Sequence, residues 1–381
     1  MACRSLRVDP RRTQRRRRVS ASTSGAGTPL PAGSVIGILG GGQLGRMLSV
    51  AASRLGLRCH IFEPGAKPPA AHVADRVTTA SYDDTDALAA FGTSVDVITY
   101  EFENVPTSAL DQLEQAAPIR PGRNALATSQ DRLVEKKFLQ RAGLEVAPFA
   151  SVDTVDDLPV AMSNVGIPSI LKTRRFGYDG KGQFRLTDAD QAAAAMEALA
   201  HAPAVLEGWV NFDLEISVIA ARSITGDVAC FDPGHNTHEN GILRTTTVPA
   251  PIASGLQDKA VAAATAILDA LDYVGVMGVE LFATGDQILV NEIAPRVHNS
   301  GHWSQNGCAV DQFEQHIRAV AGWPLGDPAR HSNVVMTNLL GDEIHNVPTL
   351  AQESHLAIHA YGKAEARPGR KMGHINRVTP L

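Results

Sequence analysis

A parallel, doubly wound α/β domain followed by a two-part α+β region is the architecture predicted by this 381-residue sequence. Three observations predict it. Strands alternate with helical patterns up to about residue 125, a small unit with its own glycine-rich loop follows, and longer strands then take over. The length exceeds what one hydrophobic core usually supports, and with aromatics at only 5% the abundant alanine and glycine suit layered packing better than an aromatic-rich sandwich.

The first domain is expected over 34–125. A buried-type strand at Val35–Leu39 leads into the turn Gly40-Gly41-Gly42 and a helix over 43–55. A second strand, Arg58–Phe62, ends at Glu63, and a third at 95–100 is flanked by helices at 85–91 and 107–116. Such alternation implies a parallel sheet. After a helix over 130–142, the strands Ser169–Thr173, Gln183–Leu186 and 204–207, with a helix over 188–200, read as a lid-like α+β unit spanning 126–207. Strands at 214–221, 228–231, 276–282 and 287–293, with a helix at 258–271, build a larger antiparallel unit over 208–330, and 331–381 forms a C-terminal subdomain.

Residues 1–18 hold eight arginines against one acid, Asp9, so the rest of the chain carries 27 basic residues (35 less 8) against 39 acidic ones (40 less 1). A chain so acidic beyond its leader is a poor general nucleic-acid binder, though a local basic pocket can still hold phosphate. Residues 1–33 read as a disordered leader: a targeting peptide, a basic tail or the product of an upstream start codon. No apolar run approaches the roughly 20 residues that span a bilayer, so a soluble protein with no membrane partner is expected. Cys3, Cys59, Cys230 and Cys308 form no CxxC pair, which fits a reducing cytoplasm.

Two glycine motifs and one acidic pair carry the chemistry. Gly40-x-Gly42-x-x-Gly45 opens a helix, and Glu63 closes the next strand, about where a dinucleotide-binding domain places its ribose-binding acid. Bare amides at a helix N-terminus hold any phosphate, so a substrate phosphate is the favoured reading, with a dinucleotide or an empty tight turn as alternatives. In the second motif, Lys172 precedes Gly177, Gly180, Lys181, Gly182 and Gln183, and three glycines in six residues free the backbone to fold over a polyphosphate. The strands at 276–282 and 287–293 form a hairpin that brings Glu280 approximately opposite Glu292. Like charges so placed destabilise a sheet, so they need either a salt bridge from Arg296 or a neighbouring lysine, or a bound Mg²⁺, which takes carboxylate and phosphate oxygens together. Asn291 adds a neutral oxygen.

The stretches 101–105, 172–183 and 291–303 resemble the N5-carboxyaminoimidazole ribonucleotide synthetases, ATP-grasp enzymes of purine biosynthesis, with similarity from about Ser34 onward. The resemblance implies an ATP-grasp fold preceded by a pre-ATP-grasp domain, a homodimer, and carboxylation of 5-aminoimidazole ribonucleotide by bicarbonate at the expense of ATP. It implies that Arg132 and Lys172 bind ATP phosphates under the 177–183 loop, that Glu207, Gly208, Trp209 and Val210 hold adenine at a strand edge, and that Glu215 binds ribose. His238 and Asn291 contact ATP, and Glu280 and Glu292 bind Mg²⁺. For the nucleotide substrate it implicates Gln43, Leu44, Glu103, Lys363, Arg370 and Lys371. Tyr178, Asp179, Arg296, His298, Asn299 and Ser300 line the place where bicarbonate and the amine meet. Arg296 is the candidate oxyanion holder, and Asp179 or His298 the acceptor of the amine proton. The leader lies outside the family pattern, and the chain stops at Leu381, short of a further helix expected from that pattern. A formate-using transformylase, an NAD-dependent oxidoreductase and a non-catalytic nucleotide-binding regulator are the rival readings.

Overall fold

Apolar residues of Val35–Leu39 (β1) place this strand at the centre of a parallel sheet, between Arg58–Phe62 (β2) and Val97–Tyr100 (β4), with Arg76–Thr78 (β3) at the far edge. The order β3-β2-β1-β4 reverses direction between β1 and β4, and the crevice at the carboxyl ends of these two strands is where open α/β sheets bind ligands. The structure, a computed structural model, describes residues 27–177 and 180–381. The helix Gln43–Arg54 (α1) follows β1, while Thr85–Gly92 (α2) and Thr107–Leu113 (α3) cover the other face.

Two helices, Arg123–Ser129 (α4) and Arg132–Arg141 (α5), lead into the lid. Its four strands are Phe149–Val152 (β5), Ser169–Thr173 (β6), Gln183–Leu186 (β7) and Ala204–Gly208 (β8), in the order β5-β8-β6-β7. The helices Leu158–Val165 and Ala192–Ala198 bury Leu158, Met162, Ala195 and Met196 against it.

The large sheet starts with Leu214–Arg222 (β9), continuously buried from Ile216 to Ala221, as expected of a strand covered on both faces. Val228–Cys230 (β10), Gly234–Glu239 (β11), Ile242–Val248 (β12), Gly275–Thr284 (β13), Gln287–Ala294 (β14), Ser332–Leu340 (β15), Leu356–Ala360 (β16) and Lys371–Pro380 (β17) complete it, ordered β14-β13-β9-β11-β12-β15-β17-β16 with β10 on β9. The stretch after residue 331 therefore extends this same sheet. Leu256, Ala260, Ala264, Ile267 and Leu268 of the helix Ser254–Ala270 pack on one face at helical spacing. Phe313, Ile317 and Val320 share a core with Leu44, Leu48 and Ala52 of α1, which fixes the first domain against the large sheet.

The expectation of disorder as far as residue 33 is corrected for 27–33. Leu30 is buried, its amide donates to Ala321 O at 2.9 Å, and its carbonyl accepts from Trp323 Nε1 at 2.7 Å. A lone leucine in a Thr-Pro-Gly stretch carries no periodicity to announce this. The rest of the expected leader lies outside the described residues. No helix among the described residues is long and apolar enough to cross a membrane.

Candidate active site

The first glycine turn is occupied by the chain itself. Gly41 N–H donates to Glu63 Oε2 at 2.8 Å, Gly45 N–H donates to Glu101 Oε2 at 2.7 Å, and Gly42 N–H donates to Glu101 Oε1. The expectation that these amides are bare for a substrate phosphate is therefore corrected: an arriving phosphate, or a dinucleotide pyrophosphate, would meet two carboxylates. Glycine is needed here for another reason. Gly40 sits at φ +100°, and a Cβ there would lie 2.5 Å from Glu101 Cγ. Burial raises the Glu101 carboxyl above the usual range, while the amides of Gly45 and Gly42 work to lower it. Gln43 and Leu44 occupy the first turn of α1, but the Leu44 side chain is in the core, so only its backbone could face a ligand. Substituting Glu101→Ala leaves two amides of this turn without their charged acceptor. It is expected to lower the unfolding free energy by about 3 kcal/mol in urea titrations; an unchanged midpoint would show that the turn does not depend on Glu101.

The hairpin of β13 and β14 turns at Gly285-Asp286 and sets Glu280 directly opposite Glu292, with a register shift immediately beyond them that leaves Asn291 as the extra, bulged residue. The charge partners differ from expectation. Arg296 does not reach the pair; it grips Glu103, with Nε 2.6 Å from Oε2 and Nη2 3.2 Å from Oε1. Arg132, at the start of α5, takes Glu292 at 2.7 Å. Burial pushes the Glu292 carboxyl up, but Arg132 and Lys172 outweigh it and hold the group well below the ordinary range. Glu280 is offset only in part, by the charges of His238 and Lys371. His298 Nε2 stands 3.6 Å away, and burial with the charge of Glu292 drives Glu280 well above the ordinary range.

His298 is held by Gln312, whose Oε1 accepts from its backbone N–H at 2.9 Å, and it fits because Gly278 lacks a side chain: a Cβ there would lie 2.5 Å from His298 Cβ. Its Nδ1 accepts from Ser300 N–H at 3.4 Å and meets Ser300 Oγ at 2.8 Å, which leaves the ring proton on Nε2, toward Glu280. Burial, Arg296 and Lys371 lower its pKa to about 3, so the ring is neutral near pH 7. Both polar atoms of the Asn299 amide are buried without a hydrogen-bond partner among the described residues.

On the lid side, Lys172 Nζ lies 3.1 Å from Glu207 Oε2, and Lys136 Nζ lies 3.2 Å from the same oxygen. Burial works to raise the Glu207 carboxyl, but Lys172, Lys136 and Arg132 hold it at about 2. Gly208 ends β8; Trp209 stacks under the Arg185 guanidinium at 4.0 Å, and Val210 follows it. The loop after Gly177 returns through Gly180, Lys181 and Gly182 to Gln183, with Thr173 N–H donating to Gly182 O at 2.8 Å, and Gly180 packs against Gly241 of the β11–β12 turn. Tyr178 and Asp179 lie outside the described residues. His238 Nδ1 sits 2.8 Å from Glu215 Oε2 in an off-axis ionic contact; burial opposes protonation of the ring, but Glu215 raises its pKa.

The basic cluster lies at the C-terminal end. Lys363 Nζ donates to Lys371 O at 2.6 Å, and Arg370 Nη1 to Glu365 O at 2.9 Å. The Lys371 charge acts on Glu280, His238 and His298, which places this cluster beside the glutamate pair. Among the described residues no group of three or more His, Cys, Asp or Glu side chains comes together as a metal site.

Three residues escaped the sequence reading. Glu101 lay within a noticed motif but gave no sign that it would fold back on a turn about sixty residues earlier. Glu135 and Lys136 share the buried face of α5 with Arg132; Glu135 accepts from Ile293 N–H at 2.9 Å, and Lys136 donates to Asn291 O at 2.8 Å. Charges at i, i+3 and i+4 ordinarily mark a solvated face, so only their partners across the fold distinguish them.

Comparison with known proteins assigns the parts of this fold to families. The ribonucleotide synthetase pre-ATP-grasp domain family matches residues 34–130, the ATP-grasp domain family residues 137–313, and the phosphoribosylaminoimidazole carboxylase C-terminal domain family residues 334–380. An N5-carboxyaminoimidazole ribonucleotide synthase of Brucella melitensis is 54% identical over 356 residues, covering 93% of this chain and 98% of the relative. The ADP complex of an N5-carboxyaminoimidazole ribonucleotide synthetase superposes with a TM-score of 0.89 at 43% identity, over 92% of this chain and 94% of the other. The Aspergillus clavatus N5-carboxyaminoimidazole synthase bound to ADP and 5-aminoimidazole ribonucleotide gives 0.86 at 31% identity, over 92% and 94%. The chain belongs to the N5-carboxyaminoimidazole ribonucleotide synthase family of ATP-grasp proteins.

Proposed function

We propose that this chain joins bicarbonate to the amine of 5-aminoimidazole ribonucleotide at the expense of ATP, giving N5-carboxyaminoimidazole ribonucleotide, ADP and phosphate. The observation that carries the reading is the facing Glu280–Glu292 pair, Glu280 buried and Glu292 partly exposed, with Arg132, Lys172, Arg296, His298 and Lys371 around it. Phosphate-binding cations thus meet an oxyanion-binding group around one pair of acids.

The pair fits Mg²⁺. Its donors are hard carboxylate oxygens on two facing acids, a like-charge pair that a divalent ion would neutralise. When bound, the ion would neutralise charge on the β- and γ-phosphates. Arg132 and Lys172 orient the polyphosphate, the 177–183 loop excludes water, and the strand edge at 207–210 receives adenine, with Glu215 and His238 toward the ribose. A bicarbonate oxygen attacks the γ-phosphorus in line and ADP leaves. The amine then attacks the carbonyl carbon of carboxyphosphate, or CO₂ released from it, and the carbon–oxygen bond to phosphate breaks.

Arg296 performs the anion-holding step. Glu103 takes two of its five N–H groups and Val297 O a third at 3.2 Å, so the guanidinium is locked in plane with two donors left for bicarbonate and the developing oxyanion. Glu103 therefore works through Arg296. His298, its Nδ1 engaged by Ser300, serves as a neutral donor in this reading, and Asp179 is the candidate acceptor of the amine proton. Asn299, with its unsatisfied amide, and Ser300 face the reacting groups. With the glycine turn occupied by carboxylates, Lys363, Arg370 and Lys371 hold the substrate phosphate. The same reading carries a cytoplasmic homodimer, checked by sedimentation mass.

The test is a coupled ADP-release assay across candidate amines. Release should require both bicarbonate and 5-aminoimidazole ribonucleotide. Release with formate plus glycinamide ribonucleotide, and none with the first pair, would replace this reading by the transformylase.

A further inference from the structure

Glu207 presents an unusual charge arrangement. One carboxylate oxygen, Oε2, is shared by two ammonium groups, Lys136 at 3.2 Å and Lys172 at 3.1 Å, while Oε1 is buried without a hydrogen-bond partner among the described residues. The two lysines are not equivalent. Lys136 is only 2% exposed and has a second anchor, Asn291 O at 2.8 Å, whereas the Lys172 side chain is 14% exposed and lies on β6, the strand that runs into the glycine loop. Lys136 thus joins the end of the lid sheet at β8 to the bulge of β14 beside Glu292, and Lys172 leans on the same carboxylate from the open side.

We propose that Lys136 is the positioning residue that releases Lys172 to the nucleotide: it stays on Glu207 and Asn291 throughout, so that Lys172 can exchange Glu207 for a phosphate without stranding a buried carboxylate. This rests on the reading of Lys172 as a phosphate ligand. The physical reason is that removing one partner of a buried ion pair is strongly unfavourable, because the other charge is left desolvated and unpaired. With two ammonium groups on one oxygen, either can leave at small cost. With Lys172 alone, the departure that ATP requires is opposed by the whole of that penalty. Arg132 does not substitute for Lys136, since it is engaged by Glu292 at 2.7 Å. The second anchor also ties nucleotide binding to the acids: holding the Asn291 carbonyl fixes the bulge from which Glu292 projects.

The experiment measures ADP affinity by calorimetry and the KM values for ATP and for 5-aminoimidazole ribonucleotide in four proteins: wild type, Lys172→Met, Lys136→Met, and Lys136→Met with Glu207→Gln. Lys136→Met is expected to weaken ADP binding and raise the KM for ATP by about 100-fold, with the KM for the amine substrate within twofold of wild type. The double variant removes the carboxylate that pins Lys172, so it is expected to recover at least about tenfold of that loss, and, having no unpaired buried carboxylate, to fold even if Lys136→Met does not. A role in packing alone predicts that the double variant binds ADP as poorly as the single one, and that result would overturn the proposal. Unchanged ADP affinity in Lys136→Met would overturn it as well. If Lys172→Met binds ADP as tightly as wild type, the failure lies instead in the reading of Lys172 as a phosphate ligand.

Discussion

Glu292→Gln is expected to lower kcat/KM for ATP by about 1000-fold or more while the protein stays folded. Glutamine keeps the shape of the side chain but removes the ionised carboxylate that pairs with Arg132 and lies opposite Glu280. Loss of one preorganised electrostatic contact to a transition state costs about 10²–10³ in rate, and this residue serves twice, orienting Arg132 and supplying half of the divalent-ion pair. The measurement is ADP release at saturating and limiting ATP, with circular dichroism to verify the fold. Retention of more than a tenth of wild-type activity would show that the acid pair is not the nucleotide site. The companion change Glu280→Gln, which removes the other half of the acid pair, is expected to lower activity as well.

Arg296→Lys is expected to lower kcat by about 100-fold with the KM for ATP within twofold. Lysine keeps the charge but loses the planar fork, so it cannot grip both oxygens of Glu103 and present two further donors in a fixed direction. Steady-state kinetics with bicarbonate as the varied substrate should show the change there as well. An equal loss of ATP affinity would place Arg296 in the nucleotide site instead. Glu103→Gln should reproduce part of the effect, since Glu103 acts by holding the guanidinium.

The legible parts of this protein are those with a local pattern. The alternation that gives β1, α1 and β2, and the hairpin that puts Glu280 approximately opposite Glu292, follow from period and turn chemistry over a few residues, while the bulge at Asn291 that makes the pairing direct does not. The strands Gly234–Glu239, Ile242–Val248 and Lys371–Pro380 were missed because their inward positions hold Asn236, Thr246, His374 and Asn376, buried polar groups that leave no apolar alternation to read. The same difficulty explains the glycine turn. A phosphate-binding loop and a turn filled by Glu101 have the same sequence between residues 40 and 45, and the difference lies in a residue carried in by β4. Lys136 was illegible for a related reason: a charge on a helix reads as solvent-facing until the strand that buries it is known.

The central claim is that bicarbonate is activated by phosphorylation between the glutamate pair and Arg296. The most direct test supplies bicarbonate labelled with oxygen-18 together with ATP and 5-aminoimidazole ribonucleotide, and analyses the inorganic phosphate by mass. Attack by bicarbonate on the γ-phosphorus, followed by cleavage of the carbon–oxygen bond, predicts one labelled oxygen in each phosphate released. Phosphate formed at the normal rate without label would contradict the account.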